Sequence, residues 1–234
     1  MEQGSATPTG GTRARGRHPF AIRDCALIAI ATGKRAQNLK ELRDHLLTIN
    51  PASIYYHFWG GLLETGFEER EFNNDFAIWA RNALHDFPLS ERLAVIDPSA
   101  YTGLESLRQE LIDIIEERID ESEYLPWTRT DQQFEFIHSQ IVVFNTRRTL
   151  ECPEDLPAGV AQMSTSSIFY HFIDARRRSS EGLDDFRAWL CSYGEPYSEL
   201  CDRLADIDPF FITLTNLRRQ LSAVFGDYFG EAAS

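Results

Sequence analysis

Apolar side chains along this chain recur at three- and four-residue intervals more often than they alternate, and the elements they predict are helices. Ile54, Tyr55, Phe58 and Leu62 share one helical face. They follow Asn50 and Pro51, an N-cap residue and a proline at the first helical position. Leu107, Leu111, Ile114 and Ile115 line a second helix, for which Thr102 and Glu105 have the spacing of a capping box. Asn74-Asp75 and Asp184-Asp185 each precede a further periodic run, and Ser164 takes the capping place before another. Phe87-Pro88 breaks the chain ahead of a short helix at 90–95. Two stretches are ambiguous. The apolar run from Ala26 to Ile30 and the segment from Phe134 to Phe144 fit a helix start or a strand, and helix is the preferred reading.

The pattern then repeats. The hexapeptide SIYYHF at 53–58 returns as SIFYHF at 167–172, an offset of 114 residues. At the same offset Leu42 falls on Leu156, Leu46 on Val160, Lys34-Arg35 on Arg148-Thr149, and Leu27–Ile30 on Ile141–Phe144. Beyond the histidine the offset drops to 110, where Asp75-Phe76-x-x-Trp79 matches Asp185-Phe186-x-x-Trp189. The first copy therefore has a longer loop, around Gly66 to Asn73. Ile96-Asp97-Pro98 recurs at 207–209, and Leu104-x-x-Leu107-Arg108-x-x-Leu111 at 214–221. The expectation is a tandem duplication with a mainly α fold: two similar repeats of about five helices each, packed with approximate two-fold pseudo-symmetry. Residues 1–18 read as a disordered tail, 19–120 as the first repeat, 121–133 as a linker and 134–234 as the second repeat.

Composition narrows the functional classes. With 234 residues, 43% of them hydrophobic, the chain has the material for a buried core. Its net charge is −13, and the first eighteen residues carry +2, which leaves −15 on the remainder. A body this acidic repels phosphate backbones and acidic membrane surfaces, so neither nucleic acid nor membrane is an expected partner. No apolar run reaches the length of a membrane span. Cys25, Cys152, Cys191 and Cys201 form no CxxC pair and follow no secretory signal, which points to free thiols in a reducing cytoplasm. Cys191 and Cys201 read as small buried apolar side chains.

The order TGKRAQNLKEL, SIYYHF, NNDFAIW, IDP and LESLRQEL, between Thr32 and Leu111, resembles the domain of unknown function family 5752. The second copy keeps the histidine, Asp-Phe-x-x-Trp, IDP and LR segments but has CPEDL, Cys152 to Leu156, in place of NLKEL. The resemblance implies a small helical protein and assigns no activity. It also implies arginines shortly after the histidine, which Arg176 to Arg178 supply in the second copy, where the first has Gly60-Gly61-Leu62-Leu63.

Candidate chemistry centres on the repeated positions. His57 and His171 are either packed core residues or groups for acid–base work and ligand hydrogen bonding. Asp75 and Asp185 open helices, where a carboxylate caps the N-terminus, and each could also reach the histidine of its own copy. Tyr56 and Tyr170 bring phenol hydroxyls. Arg108 and Arg218 occupy one position in the two terminal helices, suited to a buried ion pair or to bidentate binding of an anion. Arg176 and Arg178 would draw an anionic ligand, and with Arg147, Arg148 and Arg177 on one face they would make a nucleic-acid surface. No His-x-x-x-His or Glu-x-x-His accompanies the histidines, so no metal is expected. Gly10-Gly11 and Gly60-Gly61 lack the context of a phosphate loop, and no Gly-x-Ser-x-Gly elbow is present, so no cofactor is implied. The functional expectation is a non-catalytic module that binds a protein partner or a small ligand. The competing one is an enzyme for a small polar or anionic substrate, with His171, Asp185 and Arg178 around one site and His57 and Asp75 as its parallel copy.

Overall fold

In the computed structural model, which describes residues 18–63, 71–121, 124 and 127–231, the chain opens on a strand. β1 (Phe20–Ala36) pairs antiparallel with β2 (Phe134–Leu150) to form a two-stranded ribbon whose ends are Phe20 opposite Leu150 and Ala36 opposite Phe134. Between the strands lie α1 (Leu39–Leu46), α2 (Pro51–Trp59), α3 (Asp75–Asn82), α4 (Phe87–Ala94) and α5 (Leu104–Asp120). After β2 come α6 (Leu156–Ala161) and α7 (Thr165–Ile168). The latter runs through a π-helical stretch, Phe169–Asp174, into α8 (Ala175–Arg178). α9 (Asp185–Cys191), α10 (Ser198–Ala205) and α11 (Leu214–Glu231) complete the chain. Residues 1–17 of the expected tail, 122, 123, 125 and 126 of the expected linker, 232–234 of the expected second repeat, and most of the longer loop lie outside the described residues. Among those described, no helix is long and apolar enough to cross a membrane.

The two ambiguous stretches are therefore strands, and the expectation of a mainly α fold built from two helical repeats is overturned. Each strand has 17 residues, and each half of the chain opens with one. Ile28, Ile30, Ile137, Ile141, Val142 and Val143 are β-branched and lose side-chain freedom in a helix, which favours the extended state. The sequence hides this because the middle of the ribbon is only partly buried, so the strict alternation of a half-buried strand is blurred. Two smaller expectations also change. α5 begins one residue later than a capping box at Thr102 requires, with Gly103 at its N-cap and no side-chain cap. The short helix expected at 90–95 begins at Phe87, because Asp86 caps it and Pro88 sits in its first turn, where a missing N–H costs nothing.

The ribbon bends twice. Register shifts fall between Ile22 and Arg23 opposite the stretch Thr146–Arg147, and between Ala31 and Arg35 opposite Phe136. In each the threonine hydroxyl donates to a carbonyl across the ribbon, Thr32 to Phe136 and Thr146 to Ile22. The next residue takes a left-handed backbone: Gly33 at φ 77° and Arg147 at φ 61°. These are β-bulges, which bend and twist a strand pair locally, and the ends of the ribbon lie in two cores.

Those cores draw on both halves of the sequence. One gathers Leu39, Leu42, Ile54, Phe58, Phe76, Leu107 and Leu111 from the first helices, and is completed by Phe134, Phe136 and Phe210. The other gathers Leu156, Phe172, Phe186, Leu217 and Phe225, and is completed by Phe20, Ile22, Cys25 and Tyr55. Each strand thus begins in the core of the opposite half and ends in the core of its own. An aromatic side chain buried this way contributes about 2–3 kcal/mol of transfer free energy, so neither core is complete without the other half's strand.

Candidate functional site

α2 puts Ser53 and His57 on one face, four residues apart, and α7 with its π-helical extension does the same for Ser167 and His171. Each pair grips a single backbone residue of the strand that crosses in front of it. Ser53 Oγ donates to the Ile137 carbonyl at 2.7 Å, and the Ile137 N–H donates to His57 Nε2 at 3.2 Å. Ser167 Oγ donates to the Arg23 carbonyl at 2.7 Å, and the Arg23 N–H donates to His171 Nε2 at 2.9 Å. A ribbon edge presents unpaired N–H and C=O groups, and this two-pronged clamp satisfies one of each.

The far side of each ring is fixed as well. His57 Nδ1 lies 2.8 Å from Asp75 Oδ2, and His171 Nδ1 lies 2.7 Å from Asp185 Oδ2. Because Nε2 accepts a backbone N–H, it keeps its lone pair, and the ring proton resides on Nδ1 and points at the carboxylate. Both imidazoles are almost fully enclosed, at 4% and 2% exposure. Phe134, Phe76 and Tyr56 pack around His57, and Phe20, Tyr170 and Phe186 around His171. With both nitrogens committed, neither ring has a lone pair directed at solvent.

The surroundings of the two clamps differ. Beside His171, Asp185 Oδ2 also receives Arg178 Nη2 at 3.1 Å. Burial alone would raise the Asp185 carboxyl, but the His171 hydrogen bond and the Arg178 charge hold it below the usual range. Arg178 is anchored further by Asp174 Oδ2 at 2.9 Å, by the Tyr170 carbonyl at 2.9 Å, and by the Tyr170 ring 4.1 Å beneath it. Asp174 is itself a buried hub. Its Oδ1 accepts the Tyr55 hydroxyl at 3.0 Å and Arg177 Nη2 at 2.9 Å, which ties α2 of one half to α8 of the other. Burial first and the neighbouring Asp174 charge second push the Tyr55 phenol well above its usual value. The first half has Gly60 where the second has Asp174, so it has no such hub.

A cleft of about 460 Å³ opens here, lined by Phe20, Arg23, Tyr170, His171, Arg178, Asp185 and Trp189. The indole N–H of Trp189 donates to the His18 carbonyl at 3.0 Å, and that of Trp79 to the Gln132 carbonyl at 2.7 Å. Among the described residues the Arg23 guanidinium makes no ion pair. Arg23 is exposed and lines the cleft.

The remaining candidates are placed elsewhere. Arg108 donates to the Leu46 carbonyl, to the Ile49 carbonyl at 2.7 Å and to Glu105, so it closes the C-terminus of α1. Arg218 donates to the Met163 carbonyl at 2.9 Å, the matching place after α6. Arg176 lies over the Phe172 ring at 4.6 Å and reaches the Ile207 carbonyl at 3.4 Å, away from the cleft. Burial pulls its pKa down. Arg148 bonds Gln162. Among the described residues no three His, Cys, Asp or Glu side chains converge to hold a metal ion. Cys191 is exposed rather than buried, whereas Cys201 is enclosed. The sequence reading missed Arg23, Phe20 and Trp189 as cleft residues, and Asp174 as a hub. The serine four places before each histidine was visible in both hexapeptides, but its partner strand was not.

A family model described as a family of unknown function, DUF5752, matches residues 17–226, and the chain belongs to that family. Among solved structures, OrfY from Thermoproteus tenax has the same fold, with a TM-score of 0.79 and 22% sequence identity. The match covers 92% of this chain and 97% of that one. No curated protein matches the chain.

Proposed function

We propose that this DUF5752 member is a non-catalytic binding module, and that the cleft beside His171 takes a small anionic ligand with an apolar part. The observation that carries the reading is Arg23, an exposed guanidinium without an ion-pair partner among the described residues, set against the aromatic walls of Phe20, Tyr170 and Trp189. Arg23 and Arg178 outweigh Asp185 by one positive charge among the lining residues, a local reversal on a chain of −13. That sign attracts a carboxylate or phosphate, and a cleft of about 460 Å³ suits a metabolite-sized molecule. The histidine geometry supports the non-catalytic half of the proposal. A general base needs a free lone pair, and both Nε2 atoms spend theirs on backbone N–H groups. The module works in the cytoplasm, with its thiols reduced at rest.

Titration calorimetry with a panel of small carboxylates and phosphate monoesters tests the reading. At least one should bind wild-type protein, and Arg23→Ala should weaken it about tenfold or more, the worth of a charge-assisted hydrogen bond. Binding indifferent to Arg23→Ala, or substrate turnover lost in a folded His171→Gln variant, would overturn the proposal.

The reading includes an internal duplication, of a unit that begins with a strand. The Ser–His clamp, the His–Asp pair, the Thr bulge and the Arg at the helix C-terminus each occur twice in the same order, which supports one ancestral unit copied in tandem. Only the second copy carries Arg178 and Asp174 after its histidine, while Arg23 reaches the cleft from the strand of the first copy.

A further inference from the structure

Cys191 and Cys201 lie outside the cleft and take no part in the clamps. Cys191 ends α9 and is exposed, and Cys201 sits in the middle of α10, buried. Their sulfurs are 3.8 Å apart, in van der Waals contact. Side-chain rotation and a small approach of α9 and α10 separate that distance from an S–S bond of about 2.05 Å. We propose that Cys191 and Cys201 are a peroxide-sensitive dithiol that closes to an intramolecular disulfide.

Three features divide the roles. The exposed Cys191 sulfur is the one that a peroxide can reach. Cys201 is enclosed, and burial first and its contact with Cys191 second push its thiol up to about 12, so it is the sulfur that answers second. Arg187, one turn before Cys191 on α9, places a cation close enough to lower the Cys201 value electrostatically, and its buried Nε has no hydrogen-bond partner. The other two thiols are poorly placed to compete. Cys25 and Cys152 are buried, with values raised to about 12 and about 11, chiefly by burial.

In the first step the Cys191 thiolate attacks one oxygen of the peroxide, the O–O bond breaks, and Cys191 becomes a sulfenic acid while the other oxygen leaves as hydroxide and takes up a proton. In the second the Cys201 sulfur attacks the Cys191 sulfur, the S–O bond breaks, and the hydroxyl departs as water with the Cys201 proton. Two thiols are oxidised, one hydrogen peroxide is reduced, and two waters form. The disulfide ties α9, the helix that carries Asp185 and Trp189 of the cleft, to α10.

Full-length protein treated with hydrogen peroxide, then denatured and probed with a thiol reagent, gives the test. Reactive thiols should fall from four to two, the chain should remain a single species on a non-reducing gel, and peptide mapping should find Cys191 joined to Cys201. In Cys201→Ser, a 1,3-dicarbonyl trap should label Cys191 as a sulfenic acid. Four surviving thiols, a bond between chains, or a pairing that involves Cys25 or Cys152 would overturn the proposal. So would wild-type Cys191 carried on to sulfinic acid with Cys201 still free.

Discussion

His57 and His171 show how little a residue's identity says about its use until both ring nitrogens are assigned. Each is clasped between a carboxylate and a backbone N–H, and the serine one turn earlier finishes the grip on the same strand residue. Ser53→Ala and Ser167→Ala each leave a carbonyl without its donor in a part-buried setting. Each substitution should therefore cost about 1–2 kcal/mol in denaturant titration and speed amide exchange at Ile137 or Arg23. Asp184 offers a second test at this scale. It caps α9 through the Arg187 N–H, but its other oxygen is buried with no partner, and burial raises its carboxyl to about 6, against the charges of Arg176 and Arg187. A value raised in the folded state means that the protonated form favours folding. That stability is complete below the unfolded value of 3.8 and is lost as pH rises through about 6. Asp184→Asn keeps the cap and cannot ionise. It should flatten the fall in stability between pH 4 and 7 and gain up to about 3 kcal/mol at neutral pH, read from denaturation at a series of pH values.

At the scale of elements, the helices were legible and the strands were not. Asn50, Asn74, Ser164 and Asp184 cap the helices for which the sequence nominates them, because a cap is a local bond between a side chain and a backbone two or three residues on. A strand has no such local bond. β1 and β2 are held by each other across more than a hundred residues, and their exposed middle dilutes the alternation that would mark them. The bulges make the ribbon's curvature a local property that can be tested. A Cβ on Gly33 would meet nothing within 4 Å, so Gly33→Ala isolates the strain of a left-handed backbone. It should destabilise the protein by about 1 kcal/mol, while Arg147→Gly at the matching bulge should recover a similar amount. Thermal denaturation of the two single variants checks both signs.

For the whole molecule, the exchange of strand ends decides how the chain folds. The first core lacks Phe134 and Phe136 until β2 arrives, and the second lacks Phe20 and Ile22 until β1 does. A fragment of residues 18–121 should thus be unfolded as a monomer. Where it folds, it should do so as a dimer in which a second β1 supplies Phe20 and Ile22 in place of the missing strand. Mixing it with residues 127–231 should restore a one-to-one complex, seen as recovered helicity and a single peak by gel filtration with light scattering. A folded, monomeric 18–121 fragment would show that the cores are independent. The intact chain should unfold in one transition for the same reason, since loss of either core removes a wall of the other.

The sequence by itself determined the recurring positions, the caps at Asn50, Asn74, Ser164 and Asp184, the acidic body, the family, and the two histidines with their candidate aspartates. All of these rest on residue type and on spacing within one turn or one motif, which the chain carries without reference to its fold. Only the tertiary structure decided what the histidines hold, because Ile137 and Arg23 reach them from 80 and 148 residues away. It also decided that Arg108 closes a helix while Arg23 faces a cleft. Both are arginines that follow an apolar residue and precede a polar one, and what separates them is which carbonyls and carboxylates the fold brings within hydrogen-bonding distance.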